Sequence, residues 1–197
     1  MNARDAAAWE DLRQRCASCQ ACALGQTRTK SVFGVGKQDS PVLFVGEGPG
    51  QQEDLQGEPF VGAAGKLLDE MLSVIDLGRD NCYIANIVKC RPPGNRDPRE
   101  EEQAACVGFL REQIALVRPR LIICLGRIAA GVLIEKDYRI TRQHGQWIER
   151  DGIWYTAIYH PSALLRDLRR RPETFLDLLA IRDKVREVCP ELYAQQR

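Results

Sequence analysis

No apolar run in the 197 residues approaches the ~18 that a membrane helix needs, which excludes a helical membrane span. The longest plain apolar runs are four or five residues, as in Leu121–Leu125, the length of a buried strand. The opening stretch, MNARDAAAWEDLRQRC, carries charges throughout and lacks a signal-peptide core, so a cytoplasmic protein is expected. Net charge is nearly absent too, at +1, so any nucleic-acid footprint must be a local patch. Lysine is scarce, 6 against 22 arginines. The positive charge therefore sits on the residue better suited to phosphates and planar polar groups. It is concentrated at Arg166, Arg169, Arg170 and Arg171. There are only two histidines, and no repeats, low-complexity tracts or long linkers. Hydrophobic residues make up 44% and charged residues 28%, an ordinary globular balance. The length fits one domain spanning 1–197.

Cysteine is what the chain has in plenty, with eight. In a reducing compartment these are metal ligands or buried thiols before they are disulfides. Cys16, Cys19 and Cys22 form a C-x2-C-x2-C run, and Cys90 and Cys106 lie 16 positions apart downstream. A ferredoxin would place a fourth cysteine where Gln26 stands, and a zinc ribbon would need a second close pair. What remains is one tight pair plus two distant cysteines, a set that fits a four-thiolate cluster. Spacing alone leaves iron–sulfur and zinc both open. Cys82 and Cys124, inside apolar stretches, read as small core residues.

Strand-like and helix-like segments alternate. Strands are expected at 41–48, 82–90, 120–126 and 153–161, and helices at 5–16, 64–77, 127–134 and 173–188. Asp97 as N-cap and Pro98 at the first helical position predict a further helix that carries Cys106 and ends near Val117. The alternation argues for an α/β protein with a mostly parallel central sheet. Such sheets bind ligands at the carboxyl ends of their strands. The unusual sequences fall there: Gly46–Gly50, Asn86–Arg91 and His160–Ser162.

GEGPG (46–50) is not a nucleotide fingerprint. From Gly46 the third glycine of G-x-G-x-x-G would be Gln51, and the first glycine of a phosphate loop ending in Gly65-Lys66 would be Phe60. Its glycines fit a tight turn or close approach to a flat ligand. The acidic Glu47, Glu53 and Asp54 beside it strengthen the functional reading.

Together, GEGPGQQED (46–54), GEPFVGAAGKLL (57–68), YIANIVKCRPPGNRDP (83–98), Cys106, LIICLGRIA (121–129) and YHPSALLR (159–166) resemble the family 4 uracil-DNA glycosylases over roughly residues 19–168. The resemblance implies a three-layer α/β/α sandwich with a central four-stranded, mostly parallel sheet. It implies a monomeric base-excision enzyme, associated with the nucleoid, that hydrolyses the N-glycosidic bond of deoxyuridine in single- or double-stranded DNA. The products are free uracil and an abasic site. It also implies a [4Fe-4S] cluster held by Cys19, Cys22, Cys90 and Cys106, with Cys16 offering a second C-x2-C with Cys19.

By the same resemblance Phe60 stacks on the extruded base, Asn86 reads the uracil edge, and Glu53 borders the 5-position. His160 stabilises the departing anion and Glu47 orients water. Gly48 and Ser162 complete the substrate pocket. Leu164, Leu165, Arg166, Arg169 and Arg170 are expected to face DNA, a leucine filling the space left by the base. The competing functions are a non-enzymatic iron–sulfur or zinc protein that binds nucleic acid, and a glycosylase for another deaminated base.

Overall fold

The structure is a computed structural model and describes residues 3–193. Its sheet has six strands: β1 (Val35–Gly36), β2 (Val42–Gly46), β3 (Tyr83–Asn86), β4 (Leu121–Leu125), β5 (Ile148–Arg150) and β6 (Ile153–Ile158), in the order β1-β3-β2-β4-β6-β5. The inner four run parallel, as the alternation predicts, and the α/β class holds. The expected count of four strands is corrected to six, because β1 and β5 add short antiparallel edges. β1 has only two residues, too few to show a pattern. Gly36, at φ 112°, lets it close on the sheet, since a Cβ there would lie 2.1 Å from the Cys82 carbonyl oxygen. β5 joins β6 through Asp151-Gly152, both left-handed at φ 52° and 78°. An Asp-Gly pair is a strong signal for a two-residue hairpin, one that the reading of 153–161 as a lone strand did not use.

Alternate strand residues feed two cores, so the sheet is covered on both faces. Leu43, Val45, Ala85, Ile122 and Cys124 pack with α1 (Ala3–Ser18) and α5 (Glu100–Val117). Val42, Phe44, Ile84, Ile123 and Ile158 pack with α4 (Ala63–Ser73) and α9 (Arg171–Val188). Phe44 is fully buried at the centre. Its truncation to alanine should cost about 3–5 kcal/mol. Cys82 and Cys124, at 0% exposure, are core thiols as expected.

The helix after Pro98 begins later than predicted. Its N-cap is Arg99, not Asp97. The Glu102 carboxylate accepts the Arg99 backbone N–H at 2.8 Å and grips Arg96 through two hydrogen bonds of 2.6 and 2.8 Å. Arg96 and Arg99 are extended, and Asp97 between them pairs with Arg127 instead of capping the helix. Parallel registry sets Gly46 beside Asn86 and Leu125 beside Ile158, so the strand ends stand abreast along one rim.

Candidate active site

That rim encloses a cleft of about 620 Å³. Glu47, Gly48, Glu53, Phe60, Asn86, His160, Ser162 and Arg166 all line it, although they come from four separate stretches of chain. Glu47 and Gly48 follow β2, Asn86 ends β3, and His160 follows β6.

Close backbone approach builds the inner wall. A Cβ on Gly46 would lie 2.4 Å from Asn86 Oδ1 and 2.6 Å from Phe60 Cζ, so only glycine leaves room for both. Asn86 is 2% exposed, and its Oδ1 has no hydrogen-bond partner among the described residues. An orphaned buried acceptor of this kind costs about 1–3 kcal/mol until a donor arrives.

Phe60 sits at φ 56°, a conformation that strains a residue bearing a Cβ. Its surroundings enforce it. Arg79 donates to the carbonyls of Pro59 and Phe60 at 2.9 and 2.5 Å. Glu53 Oε1 accepts the backbone N–H of Val61 and Gly62 at 2.9 and 2.8 Å. Glu53 therefore lines the cleft with one carboxylate oxygen already engaged in shaping the Phe60 loop. The Phe60 ring centroid lies 5.7 Å from that of His160, with the planes 30° apart.

His160 caps α8 (Pro161–Arg166), its Nδ1 accepting the Ser162 backbone N–H at 3.1 Å with Ser162 Oγ 2.8 Å away. An acceptor Nδ1 puts the neutral ring's proton on Nε2. Burial, aided by Arg166, pulls the His160 pKa down to about 4, so the ring is neutral at physiological pH. Glu47 moves the other way. Burial, reinforced by Asp97 and opposed by Arg127 and Arg166, pushes its carboxyl up to about 7.

The DNA-facing expectations divide. Leu164 is corrected: at 2% exposure it packs into the α9 core and presents nothing to solvent. Leu165, 42% exposed, is the outward leucine. Arg166 reaches the cleft, and Arg169 stands almost wholly in solvent beside Asp167. Arg170 is held by Glu173 at 3.1 Å and lies 5.3 Å from the Tyr159 ring centroid. Sequence reasoning missed Asp97 and Arg127, which pair across the cleft lip. The turn after β4 is a strand end like the other three, and that rule alone would have nominated Arg127. The second histidine, His144, is elsewhere, bonded to Asp177 at 2.8 Å.

Cys16, Cys19, Cys22, Cys90 and Cys106 line a second, small pocket. Three of its five sulfurs have donors. Arg28 donates to Cys90 Sγ at 3.0 Å, the Lys89 backbone N–H to Cys106 Sγ at 3.2 Å, and the Ala21 N–H to Cys19 Sγ at 3.5 Å. Burial pushes the Cys16 and Cys106 thiols up to about 12 and about 11, while Lys89 pulls both back. Among the described residues, no group of three or more His, Cys, Asp or Glu side chains is arranged to hold a single metal ion. The donor chemistry fits a group bound through several thiolates, because N–H donors and two nearby cations offset thiolate charge.

A family profile described as the uracil DNA glycosylase superfamily matches residues 33–181. The Type-4 uracil-DNA glycosylase of Archaeoglobus fulgidus is 45% identical over 188 residues, covering 91% of this chain and 92% of the relative. The enzyme of the same name from Thermotoga maritima is 45% identical over 160 residues, 80% and 83% of the two chains. That from Sulfurisphaera tokodaii is 40% identical over 194 residues, 93% and 87%.

Proposed function

The chain belongs to the uracil DNA glycosylase superfamily, and from that premise we propose that it excises uracil from DNA by hydrolysing the N-glycosidic bond, as a step of base-excision repair. The observation that carries the reading is the orphaned Asn86 Oδ1, buried in a cleft it shares with Phe60 and His160. Uracil offers the complementary edge: N3–H to donate to Oδ1, and O4 to accept from the amide nitrogen.

The substrate base must leave the helix to reach this cleft, at a cost of a few kcal/mol. Stacking on Phe60 returns roughly 1–3 kcal/mol by analogy with single-strand binding. Glu53 holds the loop that presents Phe60 and borders the base. Gly48 and Ser162 line the same cleft, Ser162 fixing the His160 ring. As the bond from C1′ to N1 breaks, its electron pair moves onto the base and positive charge develops on the sugar. His160 donates from Nε2 to O2 of the departing anion, in the manner of an oxyanion hole. A neutral donor suits this role, since it need not lose a proton to the leaving group. Glu47, when ionised, stabilises the cationic sugar and orients the water that attacks C1′. Leu165 fills the vacated stack, and Arg166, Arg169 and Arg170 meet phosphates.

Cys19, Cys22, Cys90 and Cys106 would hold a [4Fe-4S] cluster, with Cys16 in the same pocket. When bound, the cluster supplies a cross-link between the N-terminal segment, the loop after β3 and α5. The protein works as one monomeric domain in the cytoplasm, at the nucleoid, and releases free uracil. No helix among the described residues is long and apolar enough to cross a membrane.

An oligonucleotide with a single uracil tests the reading. Iron-loaded protein should release uracil and leave an alkali-labile abasic site. Binding without release would favour a non-enzymatic nucleic-acid protein, and release only from oligonucleotides bearing hypoxanthine or xanthine would reassign the substrate.

A further inference from the structure

One short segment joins the two sites. Asn86 and Pro92 line the cleft, while Lys89 and Cys90 between them line the sulfur pocket. Lys89 is the hinge of that arrangement. It is 1% exposed, an uncommon place for a lysine. Its ammonium donates to the Asn86 carbonyl oxygen at 2.9 Å and to Gln113 Oε1 at 2.6 Å. Its backbone N–H donates to Cys106 Sγ at 3.2 Å. Gln113 is itself fixed, its amide donating to the Phe33 carbonyl at 2.9 Å and to the Tyr83 hydroxyl at 3.2 Å.

An amide free to turn over would read cytosine as well as uracil, because swapping its oxygen and nitrogen swaps donor and acceptor. Base choice therefore depends on where the Asn86 carboxamide is placed, and Lys89, bonded to the Asn86 backbone carbonyl and not to the carboxamide, acts on that placement through the backbone. We propose that Lys89 is a positioning residue that fixes the Asn86 peptide and so ties uracil recognition to the state of the sulfur pocket. This rests on the glycosylase reading and deepens it. Lys89 touches neither base nor sugar and acts through Asn86 alone. Coupling between two sites is reciprocal in binding. Filling the cleft with uracil must then be felt at Cys106.

The test uses iron-loaded protein and oligonucleotides carrying one 2′-fluoro-2′-deoxyuridine or 2′-fluoro-2′-deoxycytidine, whose fluorine slows bond cleavage. Binding preference for uracil over cytosine is measured by fluorescence anisotropy for wild type, Lys89→Met, Asn86→Ala and the double variant. Lys89→Met should lower the preference about tenfold or more, and in the double variant the loss should not exceed that of Asn86→Ala. An unchanged preference in Lys89→Met, or losses that multiply in the double variant, would overturn the proposal. Should Lys89→Met fail to fold, the wild-type protein still decides. The visible circular dichroism of its cluster should change with the uracil probe and not with the cytosine probe. A spectrum indifferent to the uracil probe, although it binds, refutes the coupling. A wild type without uracil preference refutes the parent reading and this proposal with it.

Discussion

The cleft and the sulfur pocket meet at one short segment, Asn86 to Asp97, and are built on opposite terms. The cleft leaves three groups ill at ease: an orphaned Asn86 acceptor, a strained Phe60, a carboxyl at Glu47 raised to about 7. The pocket is furnished in advance, with Arg28, Lys89 and Ala21 donating to sulfur. Unmet demand marks where a transient ligand is recognised, since only an unsatisfied group gains from its arrival.

Substitutions on the two sides should therefore separate chemistry from stability. His160→Ala should have the largest effect, lowering kcat by roughly 10²–10³-fold, as loss of one oxyanion-type donor does. Iron content should stay unchanged and Tm should fall only modestly, through the lost cap on α8; activity near wild type would remove His160 from the chemistry. Cys106→Ser should do the reverse, shedding iron and lowering Tm by on the order of 10 °C, measured by iron assay and calorimetry. Retained iron would show that Cys106 is dispensable and turn attention to Cys16.

The pH profile sharpens the cleft side further. Glu47 is protonated below about 7 and ionised above it, so kcat/KM should rise with pH through about 7 and then level. His160, at about 4, stays neutral across that range and contributes no limb. Glu47→Gln should lower the rate and flatten the profile; a persisting limb at 7 would assign it to another group. The smallest expected effects lie at the lip. Arg127→Ala should move the limb to higher pH and Asp97→Asn to lower, each by about one unit or less, because Arg127 favours the ionised Glu47 and Asp97 opposes it. Shifts in the opposite directions would break the electrostatic assignment.

The fold was legible where period and composition agree. The four inner strands are apolar runs ending in unusual residues, and those ends converge as the rule for parallel sheets requires. Legibility failed where neighbours decide. Asp97-Pro98 has the chemistry of a helix start, yet Glu102 takes the capping role one turn on and Asp97 goes to Arg127. Leu164 and Leu165 are identical side by side, and only the docking of α8 against the core sends the first inward. The spacing of Cys16, Cys19 and Cys22 offered two overlapping pairs. The structure brings all three to one pocket because α1 runs to Ser18 and delivers Cys16 to its edge. Lys89 lies in the unusual Asn86–Arg91 stretch, yet nothing in the sequence shows that its ammonium turns inward to the Asn86 carbonyl and Gln113.

A crystal of the protein soaked with uracil would put the recognition scheme to trial. The base should stack on Phe60, place N3–H and O4 against the Asn86 carboxamide, and bring O2 within hydrogen-bond reach of His160 Nε2. Uracil bound elsewhere, with Asn86 Oδ1 still without a donor, would contradict it.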